Sequence, residues 1–492
     1  MTNEDPFAWP KVADRQRLQN YHHFDKLYAG EHYHAFAIKA SKGFPEHYAK
    51  LRYIVGNFPG LISRVIADML FGEPIVIDCK DKKNQGFVDG LIEDNHFIAQ
   101  LYESSLANSR RGDSLFKLRL GPKPNKEGTE VQSIFIEEIP PSIYFPIFEN
   151  GAARNRPSKE VLAWTWVGTD GKTTYLQKET HTAGLIETSV YIYNPDQQRI
   201  ISRVSDDELK KIGIEPNVVT KVNRSLLFYV PNFRDGTGYW GTSDYRDLET
   251  LFFALNNRIT KIDNILDKHS DPILAVPPGV LDEKGTVRKE SLGMFEVNND
   301  NAGFNKPEYI VWNANLESAF KQIEKLVEMT FMFSEIAPAS LGKDEGGQAE
   351  SGRALKFKLL RTIAKRNRKK LYYDLMIKDL LETALYLGKA WDVEIDGNKV
   401  TTPEVPEIKW GDGVIPDITE MIEAETSRLE AGLSSRADSI ARLDGLKPED
   451  AQKKVIEIDK EGVITVPNLD DKNNPPTPPV PTQPAIAPAV KE

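Results

Sequence analysis

"DYRDLETLFFALNNRITKIDNILDKHS", residues 244–270, carries Leu248, Leu251, Phe252, Leu255, Ile259, Ile262, Ile265 and Leu266 at helical spacings. Residues three and four apart return to one face of a helix, so the stretch predicts a helix with a continuous apolar stripe. Asp244 reads as its N-cap, because a short acidic side chain can accept the free N–H groups of a first turn, and Pro272 marks its end. A second stretch, "NLESAFKQIEKLVEMTFMFSEI" (315–336), repeats the pattern with Leu316, Phe320, Ile323, Val327 and Phe331. Between the two, residues 271–313, opening with "DPILAVPPGVLDEKG", are punctuated by Pro and Gly and read as short strands and turns. A glycine-bearing loop comes next, then a charged helix of about 35 residues over 351–387. A helix of that length and charge rarely stands alone.

Upstream, "YHHFDKLYAG" places Tyr21, Phe24 and Tyr28 on one helical face, with Gly30 set to end it. "FPGLISRVIADMLFG" has Pro59 in its first turn, a stripe from Leu61 to Leu70, and Gly72 as its stop. From 74 to about 231 the character changes. A helix is expected near 87–108, followed by "SLFKLRL", "VQSIFIEEI", "EVLAWTWV", "TSVYIYN" and "SLLFYV", β-branched and aromatic runs parted by turn residues. This predicts a sheet-rich α+β region. Downstream, 391–416 reads as irregular or extended and 417–461 as two or three acidic amphipathic helices. The tail "NNPPTPPVPTQPAIAPAV" favours extended polyproline conformations and cannot assemble a core.

The chain has 492 residues, 40% of them hydrophobic, and a net charge of −10. Its size suggests roughly two to four structural units. An acidic chain does not wrap nucleic acid, which takes many cations to displace counterions, but it suits a surface that must not hold DNA tightly. Charge is uneven. Residues 351–370 hold nine cations (Arg353, Lys356, Lys358, Arg361, Lys365, Arg366, Arg368, Lys369 and Lys370) and no acid, while 417–461 hold twelve acids and seven bases. The basic run could touch nucleic acid or pack on acidic neighbours in an assembly; in an acidic chain the second reading is preferred. Cys79 is the single cysteine, so no internal disulfide and no multi-cysteine zinc site is expected. No apolar run approaches the roughly 18 residues of a membrane span, and "MTNEDPFAWP" lacks a secretory profile, so a cytoplasmic origin is expected.

Chemical motifs nominate no active site. A phosphate-binding loop needs G-x-x-x-x-G-K-[ST]; here Gly342-Lys343 is followed by Asp344, and Ala337 stands in place of the first glycine. His22, His23, His32 and His34 lie within 13 residues, but no carboxylate or cysteine joins them at ligand spacing, and a packed aromatic segment fits better. Asp263 and Asp267, four apart, read as the solvated side of a helix beside Lys261 and Lys268.

In order, these segments resemble the portal proteins of tailed bacteriophages, of the siphovirus type. The likeness is carried by "YHHFDKLYAGEHY", by "GNFPGLISRVIADMLFGEPIVI", which is similar to the family's helix ending in Phe-Gly-x-Pro, by "SDYRDLETLFFALNNRITKIDNILDKHSDPIL", and by the helix, loop, long-helix series over 315–387. It spans about 15–460.

The resemblance implies an α+β, multi-part portal fold: a sheet-rich wing (1–243), a first stem helix (244–270), a small α/β clip (271–313), a second stem helix (314–336), a tunnel loop (337–352), a long wing helix (353–390), a helical crown (391–461) and a disordered Pro-rich tail (462–492). It further implies a non-enzymatic ring oligomer of about twelve copies at one capsid vertex. Double-stranded DNA would be packaged and ejected through its channel. Terminase, neck or adaptor proteins, and major capsid and scaffolding proteins would be its partners, with no cofactor, metal or membrane. Its place would be the virion, after assembly in the host cytoplasm. The tunnel-loop residues Lys343, Asp344, Glu345, Gln348 and Glu350 are expected to face the channel, with Lys343 and Gln348 approaching phosphates. Competing readings are another neck or head-completion protein, which predicts a shorter chain without paired stem helices, and a DNA-processing enzyme, which requires a carboxylate cluster.

Overall fold

The computed structural model describes residues 5–38, 50, 52–124, 128–149, 157–234, 236, 238–270, 273–276, 294–296, 308–310, 316–341, 356–411, 418–446 and 448–461. The chain is a mixture of helix and sheet and divides into two compact units, Met1–Ile415 and Pro416–Glu492.

In the first unit, the apolar face of the helix Phe58–Phe71 supplies the centre of the main core, with Ile62, Ile66 and Leu70 almost fully shielded. Asn57 caps this helix by accepting from the Gly60 N–H at 3.1 Å. Against it pack the helices Val12–Tyr28, Phe97–Arg111 and the 31-residue Leu360–Ala390; Lys82–Asp94 packs on the last two, and one sheet joins the same core. That sheet is antiparallel, ordered Leu227–Pro231, Asp113–Pro124, Glu130–Ile139, in a register that pairs Phe116 with Phe228 and with Glu138. Burying the leucines, isoleucines and phenylalanines between these layers stabilises the unit by about 1.5–3 kcal/mol each before chain entropy is subtracted.

A second sheet is an antiparallel meander of Tyr144–Ile147, Lys159–Val167, Thr174–Thr182, Leu185–Asn194 and Arg199–Arg203, with Asn217–Val219 added beside Leu185–Ile186–Glu187. Its own cluster of Phe145, Val161, Ala163, Leu176 and Tyr193 is covered by Trp9, and Lys178 sits 3.6 Å from the centroid of the Trp9 ring.

The helix expected over 87–108 is two helices. Asn95 breaks it: its amide donates to the carbonyls of Leu91 and Ile134 and accepts from the Ile136 N–H, stitching the turn to the neighbouring strand, and His96 takes a left-handed φ of 49°. The boundary expected at 391 also falls inside the first unit. Val393, Ile395 and Ile408 belong to the main core, and Glu407–Lys409 pairs antiparallel with Val76–Asp78.

The helices Glu249–Ser270 and Leu316–Ser334 pack side by side. Between them, Ile273–Val276 pairs parallel to Met294–Glu296 and antiparallel to Glu308–Ile310. Within the helix pair, cover is unequal. Phe252, Leu255 and Phe331 are buried, whereas Leu266 and Phe320, further along the same stripes, are nearly half exposed.

The second unit, considered by itself, holds the helices Ile418–Glu430, Arg436–Asp444 and Pro448–Glu461. Ser435 and Asp438 form a reciprocal cap on the middle helix, and Glu425 accepts from Arg442 and Ser439 at 2.8 Å.

Candidate functional site

Asp244 is not an N-cap, because the helix begins five residues later at Glu249. Its position follows from two glycines. Gly112, at φ 91°, ends the Phe97–Arg111 helix so close to Gly241 that a Cβ on it would lie 2.8 Å from the Gly241 carbonyl. Only glycine allows that approach. It lets the Asp244 N–H donate to the Ser109 carbonyl at 2.9 Å and puts the carboxylate inside the protein.

There Asp244 meets the basic helix. Lys365 Nζ stands 3.0 Å from Oδ1 and Lys369 Nζ 2.6 Å from Oδ2; Ser109 Oγ and Asn232 Nδ2 donate to the same carboxylate at 2.7 and 3.1 Å. The carboxylate side chain is fully buried and the two lysines nearly so. Burial by itself would push the Asp244 carboxyl up, but the two ammonium charges outweigh it and hold the group well below the usual carboxylate range. Burial brings Lys369 down to about 8, against the pull of Asp244 and with the help of the neighbouring Lys365 charge.

The same helix holds the end of Leu316–Ser334. Lys365 donates to the Ser334 carbonyl at 2.9 Å, Thr362 Oγ1 accepts from the Ala337 N–H at 2.8 Å, and Glu335, at a left-handed φ of 60°, pairs with Arg361 at 2.8 Å and with Arg368. Arg366 donates to the Gly411 carbonyl and Lys370 lies 5.4 Å from the Trp410 ring centroid. Arg361, Lys365, Arg366, Arg368, Lys369 and Lys370 of the basic run are therefore placed against their own chain. Packing on acid is what the sequence leads one to expect, but the acid is Asp244 and Glu335 of the same chain.

The two sides of the glycine-bearing loop meet at this junction. The turn Pro338–Leu341 leaves it, with Leu341 packed on the main core, and the chain is described again from residue 356. Lys343, Asp344, Glu345, Gln348 and Glu350 lie outside the described residues. The junction itself was missed in the sequence; Lys365 and Lys369, four apart and so on one face of the long helix, were the available signal.

Two of the N-terminal histidines, His32 and His23, have structural partners. His32 is fully buried, with Nε2 2.9 Å from the Leu27 carbonyl and Nδ1 2.7 Å from the Asn256 amide, and His23 lies 2.8 Å from Glu249. Both tie the N-terminal helices to the helix Glu249–Ser270. Asp263 and Asp267 are exposed, and Asp267 pairs with Arg52 at 2.8 Å. Among the described residues no group of three or more His, Cys, Asp or Glu side chains could hold a metal, and no helix is long and apolar enough to cross a membrane.

The described residues form a mixed helix and sheet scaffold in which two striped helices are fastened to a long one. The family model for phage portal proteins of the SPP1 Gp6-like kind matches residues 165–464, and the chain belongs to that family. No curated protein matches the chain. Among solved structures, a chain of the virion of a native gene transfer agent (GTA) particle is similar at 12% identity, covering 84% of this chain and 96% of that one, with a TM-score of 0.37.

Proposed function

We propose that this portal protein forms a ring of about twelve copies at one capsid vertex, through which double-stranded DNA is packaged and later ejected. In this reading the helices Glu249–Ser270 and Leu316–Ser334 are the stem pair, 271–313 is the clip that meets terminase and then the neck proteins, and 418–461 forms the crown. The ring is structural; the motor that docks on it performs the chemistry. It works in the virion.

The observation that carries this reading is the clamp on both sides of the loop. Ser334, Glu335 and Ala337 before it are bound by Lys365, Arg361, Arg368 and Thr362 after it. A segment held at both ends by a rigid helix can present Lys343 and Gln348 to passing phosphates while Asp344, Glu345 and Glu350 keep the attraction weak. Weak contact repeated around a ring is enough, and strong contact would stall movement. The half-exposed far ends of the paired stripes support burial against neighbouring copies.

Imaging of the purified protein tests the ring: annular particles with a central hole are expected, and a monomer at micromolar concentration in native mass spectrometry would overturn it. Deleting 343–348 should leave rings intact and impair DNA packaging or retention; unchanged packaging would remove the loop from the mechanism.

A further inference from the structure

We propose that the cavity beside Asp244 is a binding site for a small tetrahedral oxyanion of the inorganic phosphate or sulfate class. The cavity measures about 260 Å³ and is walled by Lys365, Lys369 and Arg368 on the long helix and by Ser243 and Asp244 before the first striped helix. Phe233, Leu248 and Phe333 add apolar surface to its wall, and the deep side, where Asp244, Lys365 and Lys369 are buried, is where charges act most strongly.

Charge is out of balance there. Two buried ammonium groups share one buried carboxylate, which leaves an excess positive charge where desolvation is most costly. The other carboxylates on the wall are already matched: Glu335 is shared by Arg361 and Arg368, and Asp247 lies 3.3 Å from Arg246. On the wall itself three cations, Lys365, Arg368 and Lys369, face three carboxylates, and Arg361 and Arg246, which are not part of the wall, pair with two of those carboxylates, so that only Asp244 is left to balance the two buried lysines.

Donors are also in surplus. An ammonium has three N–H bonds; Lys365 directs two of them to Asp244 and the Ser334 carbonyl, and Lys369 two to Asp244 and Asn232, so each keeps one more to give. An oxyanion with several acceptor oxygens answers both surpluses at once, and a volume several times the roughly 30 Å³ of a water molecule has room for it. Its seat would bridge the long helix to the base of Glu249–Ser270. Because burial brings Lys369 to about 8, occupancy should weaken as pH rises past that value.

The test is thermal unfolding of the full-length protein at pH 7 and constant ionic strength, chloride being exchanged for inorganic phosphate, with ³¹P line broadening as a direct readout of binding. A Tm rise that saturates with phosphate, accompanied by broadening, is expected. Lys369→Met should weaken the apparent affinity about tenfold or more, and Arg368→Gln, at the half-exposed rim, about threefold. If Lys369→Met does not fold, Arg368→Gln decides. A rise that never saturates is the general exclusion effect of such salts and overturns the proposal. So do a wild-type response that both variants share, and a response to a short DNA duplex with none to free phosphate.

Discussion

Asp244 and Asp113 are both buried carboxylates of the first unit, and they are held in opposite ways. Asp244 lies against two lysines and stays ionised far below the ordinary range. Asp113 is equally buried, but it accepts from the hydroxyls of Tyr21 and Tyr229 and from the Gly241 N–H, and burial raises it to about 6. Around Asp113 the aromatic side chains Tyr144, Tyr239 and Trp240 pack closely, and Glu160, also raised by burial, takes the hydroxyls of Tyr144 and Ser225. Hydroxyl groups satisfy a buried carboxylate's hydrogen bonds without neutralising its charge; ammonium groups do both. Tyrosines hold the sheet together, and lysines fasten the helices that carry the loop.

The contrast can be broken most sharply at Asp244. Asp244→Ala leaves two buried ammonium groups without their partner and should cost about 3–5 kcal/mol in denaturant unfolding. At Asp113 the effect depends on pH. Its folded pKa lies above the unfolded value, so its contribution is fully present below about pH 4 and is lost as pH rises through about 6. Asp113→Asn should remove that slope, so wild type loses about 3 kcal/mol relative to the variant between pH 4 and 7. Parallel unfolding curves across this window would contradict the assignment.

Lys369→Met should cost much less than Asp244→Ala, about 1–2 kcal/mol, because it leaves a matched pair of Lys365 and Asp244. Equal losses for the two variants would mean that the second lysine is not in excess. Smallest should be Tyr239→Phe, which removes one hydroxyl contact at 2.8 Å to Tyr144 and should cost about 1 kcal/mol by chemical denaturation.

Periodicity made the helices legible. Phe252, Leu255 and Ile262 are buried along one side of Glu249–Ser270, as their spacing requires, and the β-branched runs are strands. The start of that helix was not legible, because an acidic residue before an apolar stripe looks the same whether it caps a first turn or reaches for lysines 121 and 125 residues away. Nor was the break at Asn95, whose partners Ile134 and Ile136 come from a strand some 40 residues on. The portal family was readable from the order of segments. The junction was not, since it depends on Gly112 and Gly241 lying back to back, and a glycine's neighbour across space leaves no local mark.

The paired helices are packed well at the Phe252 and Phe331 end and thinly at the Leu266 and Phe320 end. Amide protons should therefore exchange along a gradient, slowest near the base and fastest toward the tip. If neighbouring copies cover the tip, that gradient should flatten as protein concentration rises, while exchange at the base stays as it was.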